Sequence, residues 1–308
     1  MQIRTDLAME SRALAEGTAG VMSRTYRRGS IEEIHVAIET EEAEKALGKP
    51  RGEYVTLCHP RILGAEAEER RALSRAVADA VRPLLPPFGD VMVVGLGNRH
   101  VTADALGSRV VESMMVTRHL KGTEPEGLQG RLRGVCAIAP GVLGVTGMET
   151  AEIVKGTVEK ARPAAVIAID ALAARESGRI CTTVQITDTG IQPGSGVGNH
   201  RRGLTRETLG IPVAAIGVPT VVYSTVIVRD ALTQLLSGMP EAQGDHAAAA
   251  DALARRLTRQ HLGEMVVTPR EIDQMVGELS QVLGMGLNMA LQPRLTAQEI
   301  SALMNEAM

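Results

Sequence analysis

Apolar and polar positions along this chain follow two periods. From Ile31 to Ile38 they alternate, as in a strand with one solvated side, and Tyr54-Val55-Thr56-Leu57 repeats the pattern more briefly. Between Ala65 and Leu85 the apolar positions recur at helical spacing, and Pro83, Pro86 and Pro87 end that helix just before an apolar run opens at Val91. From there to about Thr225 the chain alternates strand, glycine-rich turn and helix. The predicted strands are 91–94, 135–138, 164–169, 182–186 and 212–216. Their near-continuous apolar character predicts strands covered on both faces by helices, an α/β three-layer sandwich around a largely parallel or mixed central sheet.

Punctuation between these runs predicts the remaining elements. Residues 7–16 are helix-prone, and Arg27-Arg28-Gly29-Ser30 is turn-like. The acidic run from Glu39 to Lys45 reads as a solvated helix start, its acids complementing the positive end of the helix dipole. An alanine-rich helix is expected within 239–262, with a polar break at Gly244-Asp245-His246. Thr268-Pro269-Arg270-Glu271 carries a helix-start signature, and Thr296-Ala297-Gln298-Glu299 a capping box. With no repeat and no long linker, residues 1–308 are expected to form a single elaborated domain.

Composition narrows the function classes. A net charge of -3 with both signs interspersed gives no basic face for phosphates, and one Phe, three Tyr and no Trp leave few platforms for stacking on bases. A direct nucleic-acid partner is therefore not expected. Cys58, Cys136 and Cys181 are odd in number and far apart, which suggests neither a disulfide framework nor a CxxC motif. Cys136 and Cys181 fall in apolar strand-like runs and read as buried small hydrophobes. The start lacks a signal-peptide pattern and no apolar run reaches the ~18 residues of a membrane span, so a reducing cytoplasm is the expected compartment.

Candidate chemistry gathers at the strand exits. Gly95-Leu96-Gly97 follows a strand, but His100 stands where GxGxxG needs its third glycine, and no GK[ST] follows any glycine-rich turn. At Gly194-Ser195-Gly196 the nucleophile-elbow pattern fails at Pro193. His35, His59, His100, His119, His200, His246 and His261 show no metal-ligand spacing, although Asp104, Asp170 and a distant histidine could still hold a metal. Two Asp-Ala-Leu triplets, at Asp104 and Asp170, each follow an apolar strand. On neighbouring parallel strands such exits lie roughly 5 Å apart, where one carboxyl group can serve as acid and the other as base. Capping a following helix is the competing reading for either Asp. Glycine-rich loops at 139–147 and 190–199 are expected to shape the cleft.

The motifs as a set carry a resemblance. Arg4-Thr5-Asp6-Leu7-Ala8, the run from Gly95 to Asn98 with Val101-Thr102 and Asp104 to Gly107, Ala139-Pro140-Gly141, Ile169 to Ala173 with Arg175, Asp188-Thr189-Gly190, the loop from Pro193 to Asn199, and Leu209 to Pro212 leading to Gly217-Val218-Pro219-Thr220 stand in order over most of 1–225. The chain resembles the germination proteases of spore-forming bacteria. That resemblance implies an atypical aspartic endopeptidase with a fold similar to the hydrogenase-maturation proteases, Asp104 and Asp170 as its catalytic pair, and no cofactor. It implies a zymogen that processes itself between Asp6 and Leu7, leaving Met1 to Asp6 as a short prosegment. It further implies small acid-soluble spore proteins as substrates, a homotetramer, and a place in the cytoplasm of the forespore and spore core. The segment from Asp6 to Glu10 looks like the substrate pattern: an acid, an apolar residue, Ala, and another acid two positions later. Arg99, His100 and Ala103 depart from the family pattern, and His100 beside Asp104 favours a metal-dependent peptidase as the alternative. A non-catalytic peptide- or nucleotide-binding module is the other.

Overall fold

The computed structural model describes residues 6–14, 18–59, 62–192, 202–237, 246–262 and 265–306. The chain opens with α1 (Ala8–Leu14), a hairpin of β1 (Val21–Arg28) and β2 (Ile31–Ile38), α2 (Glu41–Leu47) and β3 (Gly52–Cys58). Next come α3 (Ala67–Val81), β4 (Val91–Gly95), α4 (Leu106–Glu112), β5 (Val135–Ile138), the single turn α5 (Leu143–Thr146), α6 (Thr150–Ala161) and β6 (Ala165–Ala174). Then follow β7 (Thr183–Thr187), the short α7 (Arg206–Leu209), β8 (Val213–Tyr223), α8 (Ser224–Ser237), α9 (His246–Leu257), β9 (Val266–Val267), α10 (Ile272–Leu291) and α11 (Ala297–Glu306). The polar break at Gly244 and Asp245 lies outside the described residues.

One mixed sheet orders the strands β1-β2-β3-β7-β8-β6-β4-β5, with β9 paired to β8. β8, β6, β4 and β5 run parallel, whereas β1, β2, β3 and β7 pair antiparallel. In the parallel half, Val91, Val93, Ile167 and Ile169 face a layer built from α3, α4 and α10, meeting Leu73, Val77, Leu106, Val110 and Leu283. Met92, Val94, Val166 and Ala168 face the opposite layer, with Val154 and Val158 of α6 and Leu209 of α7. Burial on both faces is why these strands show apolar runs without alternation, and it makes the fold the expected α/β sandwich.

The antiparallel half follows a different rule. Ile34, Val36 and Ile38 of β2 pack against Ala43 and Leu47 of α2 and Ala8 of α1, which accounts for the alternation of β2. Thr40 caps α2, its hydroxyl accepting from Ala43 N–H at 3.2 Å, with three glutamates in the first turn, so the acidic run is a helix start. β1 escapes the apolar pattern because it is a mostly exposed edge strand, held by backbone pairing along the whole of β2 rather than by buried side chains. The capping box at Thr296 forms: Glu299 accepts from Thr296 N–H at 2.7 Å while Thr296 Oγ1 accepts from Glu299 N–H at 3.2 Å. The helix signature from Thr268 to Glu271 leads into α10, which begins at Ile272 with Glu271 as its N-cap, while the Thr268 hydroxyl donates to the Thr220 carbonyl at 2.8 Å. Among the described residues no helix is long and apolar enough to cross a membrane.

Candidate active site

Strand β4 ends at Gly95, and Gly97 turns the chain with a φ of 94°. A Cβ on Gly97 would lie 2.0 Å from the Asp104 carbonyl oxygen, one on Gly95 2.1 Å from the Gly107 carbonyl oxygen, and one on Gly107 2.5 Å from the Ile169 carbonyl oxygen. The glycines therefore let the segment from Asp104 to Gly107 lie directly on the exit of β4. Asn98 N–H donates to Asp104 Oδ2 at 2.7 Å, and Thr220 Oγ1, fully buried on β8, donates to the Ala103 carbonyl at 2.6 Å. Asp104 ends a 3₁₀ turn, and α4 starts after Ala105 with no side-chain cap, so the capping reading of Asp104 does not hold.

Asp170 lies within its strand and not at its exit. β6 continues to Ala174 because β8 accompanies it, from Asp170 opposite Gly217 to Ala174 opposite Val222, and the Ala-Leu pair that read as a helix start is strand. On the other side β4 stops: its last pair is Gly95 with Ile169, closed by Leu96 N–H donating to the Ile169 carbonyl at 2.8 Å. Asp170 is thus the first residue of β6 past the end of β4. Alternate residues of a strand present their N–H to the same side, so the Ala171 N–H faces the edge that β4 vacates. It donates to Asp170 Oδ1 at 2.9 Å. Asp170, the first β6 residue past the last pair with β4, and Asp104, in the turn packed on the exit of β4, accordingly both lie toward the carboxyl end of these adjacent parallel strands.

The same vacated edge holds the start of the chain. Ala173 N–H donates to Asp6 Oδ2 at 3.0 Å, and Asp6 N–H donates to the Ala173 carbonyl at 3.3 Å. Farther along, Arg175 N–H donates to Glu10 Oε2 at 2.9 Å and Glu176 N–H to Glu10 Oε1 at 3.1 Å. The Gln185 carboxamide of β7 donates to the Asp6 carbonyl at 3.0 Å and accepts from Ala8 N–H at 2.6 Å. Leu7 is fully buried among Leu172, Ala174, Val222 and Val226, a burial that contributes ~1.5–3 kcal/mol. The Asp6–Leu7 peptide bond is therefore fixed against β6 and β7, while Met1 to Thr5 lie outside the described residues.

A cleft of about 980 Å³ opens beside this segment, with Lys49, Tyr54, Leu172, Arg175, Gln185 and Gly217 among its walls. Thr56, Gln185, Gly217 and Asp170 are paired in one row across β3, β7, β8 and β6. Gln185 and Asp170 thus stand two strands apart, roughly 10 Å between Cα atoms. The cleft differs from expectation on one side: the 139–147 loop follows the edge strand β5 and supplies none of the described lining. Gly190, Ile191 and Gln192 do line it, whereas Pro193 to His200, including Ser195, lie outside the described residues.

Other sequence candidates fall away from this centre or change character. His100 is exposed, its N–H donating to Asn98 Oδ1 at 3.0 Å. Among the described residues no group of three or more His, Cys, Asp or Glu is placed to hold a metal. Burial pushes the Cys181 thiol up to about 12 and the Cys58 thiol upward as well, and both changes disfavour the nucleophilic thiolate. Cys136 lies in β5 and is only half-buried, and Cys181 precedes β7 instead of lying in it. Gln185, Lys49 and Thr220 were not singled out by pattern as site residues. The available signals were a carboxamide flanked by apolar Val184 and Ile186, and Pro219 within β8, which requires a bulge. That bulge exists, with Leu172 opposite Pro219 and Ala173 opposite Val221, and it leaves Thr220 as the extra residue that reaches Ala103.

A three-layer α/β fold thus holds the start of α1 along the edge of β6 that β4 leaves open, on the same strand as Asp170. The family model for germination protease matches residues 2–258. A germination protease of Caldanaerobacter subterraneus subsp. tengcongensis is 42% identical over 98% of this chain and 98% of its own length. That of Clostridium tetani is 38% identical over 99% of this chain and all of its own, and that of Bacillus subtilis 36% identical over 96% and 95%. The chain belongs to the germination protease family, and it is a peptidase with a role in spores. A nickel–iron hydrogenase maturation protease, HycI from Thermococcus kodakarensis, overlaps 58% of this chain and 96% of its own at 18% identity and a TM-score of 0.29, too slight a likeness to carry weight.

Proposed function

We propose that the chain is an endopeptidase that begins the degradation of small acid-soluble spore proteins at germination, after removing its own residues up to Asp6, and that Asp104 and Asp170 activate the attacking water. The observation that carries this reading is the parallel pairing of β4 with β6, which brings both carboxylates to one edge where a peptide-like segment already lies. One carboxylate takes a proton from water as the oxygen attacks the peptide carbonyl. The other, protonated, donates to the carbonyl oxygen. The C–N bond then breaks, and the proton passes to the leaving amine. The Asn98 N–H on Asp104 and the Ala171 N–H on Asp170 hold each carboxylate in one orientation.

Several features of the reading rest on family membership alone: the homotetramer, the zymogen and the setting in the forespore and spore core. Light scattering of the purified chain tests the first. For the chemistry, the chain is incubated with a small acid-soluble spore protein and fragments are followed by mass spectrometry. Asp104→Asn and Asp170→Asn should each stop both substrate cleavage and loss of the first six residues while leaving the circular dichroism spectrum unchanged. Wild-type rates in Asp170→Asn sink the pair. Loss of activity with a chelator and its return with a divalent ion would mark a metal-dependent peptidase instead.

A further inference from the structure

The loop that follows β5, expected at the cleft, stands instead at the surface on the carboxyl side of the sheet. It exposes Leu143, Val145 and Met148, with Val145 65% accessible. Its shape is nonetheless fixed. The Thr146 hydroxyl donates to the Val142 carbonyl at 3.2 Å and accepts from Met148 N–H at 3.2 Å, and Thr150 Oγ1 donates to the Gly141 carbonyl at 3.3 Å. Glu149 and Glu152 follow at the start of α6, and neither forms an ion pair among the described residues.

The amino end of the same parallel strands carries the complement. Phe88, the only phenylalanine in the chain, is 78% exposed in the turn that leads into β4. Arg133 pins this turn, its guanidinium donating to the Pro86 carbonyl at 2.6 Å and the Gly89 carbonyl at 2.8 Å. A Cβ on Gly89 would lie 2.6 Å from the Ala164 Cβ, so the turn rests against the start of β6. Beside it, Arg118 and Lys121 share the Asp90 carboxylate at 3.5 and 3.7 Å. Arg162 ends α6 in the left-handed region, with a φ of 49°, and is exposed without an ion pair among the described residues. Arg118 also donates to the Ala161 carbonyl at 3.4 Å, which brings it next to Arg162. An aromatic side chain held out among arginines has the composition of an interface anchor.

Neither end suits its own copy, since two Phe88 turns face to face would set arginine against arginine, and two loops glutamate against glutamate. The two ends suit each other, apolar on apolar with opposite charges at the rim. We propose that a second copy of this chain docks head to tail, Phe88 of one protomer resting on Leu143, Val145 and Met148 of its neighbour, with Arg118 and Arg162 facing Glu149 and Glu152. Such a contact is heterologous, so each protomer keeps one open end until the copies close into a ring. The number of copies rests on the homotetramer read from family membership above, whereas the pairing of unlike ends is a separate property.

The test uses the full chain in sedimentation velocity. Phe88→Ser and Val145→Ser change exposed side chains, so each should keep the wild-type circular dichroism spectrum and unfolding midpoint while the dissociation constant of the assembly rises about tenfold or more. The wild-type contact should weaken as salt is added, and indifference to salt overturns the charge pairing. Each variant retains one sound end, so an equimolar mixture of the two should form a 1:1 complex and nothing larger. Two dissociated variants that fail to combine overturn the head-to-tail contact. A tetramer unchanged in both variants overturns these surfaces and leaves the homotetramer standing, whereas a wild-type chain that is monomeric at every concentration removes both.

Discussion

Gly97→Ala is the substitution for which the structure sets the clearest expectation. The new methyl would sit 2.0 Å from the Asp104 carbonyl oxygen and 3.0 Å from Asp104 Oδ1. A relaxed C···O contact is about 3.3 Å, so the Asp104 turn must retreat by about 1 Å. The φ of 94° adds a backbone cost of about 1–3 kcal/mol for any residue other than glycine. A displacement near 1 Å at a reacting group lowers turnover by about a hundredfold. Gly29→Ala supplies the control, because its φ of 63° brings a similar backbone cost of about 1–2 kcal/mol while its Cβ meets nothing within 4 Å. Urea unfolding should show both variants destabilised, Gly97→Ala the more because it adds the clash to the backbone cost. Cleavage of a spore-protein substrate, measured where both remain folded, should fall about a hundredfold in Gly97→Ala and stay near wild type in Gly29→Ala. Wild-type turnover in a folded Gly97→Ala, or equal losses in the two, refutes the link between that glycine and the placement of Asp104.

Two further outcomes are expected. Thr220→Val removes the donor to the Ala103 carbonyl beneath Asp104, which should cost about 1–3 kcal/mol in urea unfolding and reduce turnover, while Thr220→Ser restores both; a Ser variant no better than Val contradicts the role of the hydroxyl. Glu299 is held at about 2, first by the Thr296 backbone N–H and then by Arg131. A depressed carboxylate stabilises the fold above about 4.5 and loses that effect as pH falls toward 2. Glu299→Gln should therefore lower the thermal midpoint at pH 7, with the gap to wild type narrowing below pH 4.5. A gap that stays constant from pH 7 to pH 3 would show that the charge is not what matters.

The extent to which the site was legible depends on how far each feature reaches along the chain. β2 and β5 were readable to the residue, the first because its alternation reflects one buried face and the second as a short apolar run between turns. The helix start in the acidic run and the capping box at Thr296 were readable because each is set within a few neighbouring residues. Asp104 and Asp170 stood out as carboxylates beside apolar strands, yet both were open to a capping reading, since a single Asp before Ala-Leu carries no information about its spatial neighbour. β1 was missed because an exposed edge strand is stabilised by its partner's backbone and leaves no apolar trace.

The sequence by itself determined the α/β class, the apolar strands, the helix starts and two conspicuous aspartates, because burial period and capping act over a few neighbouring residues. Tertiary structure alone decided that β6 outruns β4 at Asp170, that β8 bulges to aim Thr220 at Ala103, and that Gln185 grips a backbone 179 residues before it. These depend on strand order and register, set by how whole layers pack, and the residues that meet there bear no local pattern of meeting.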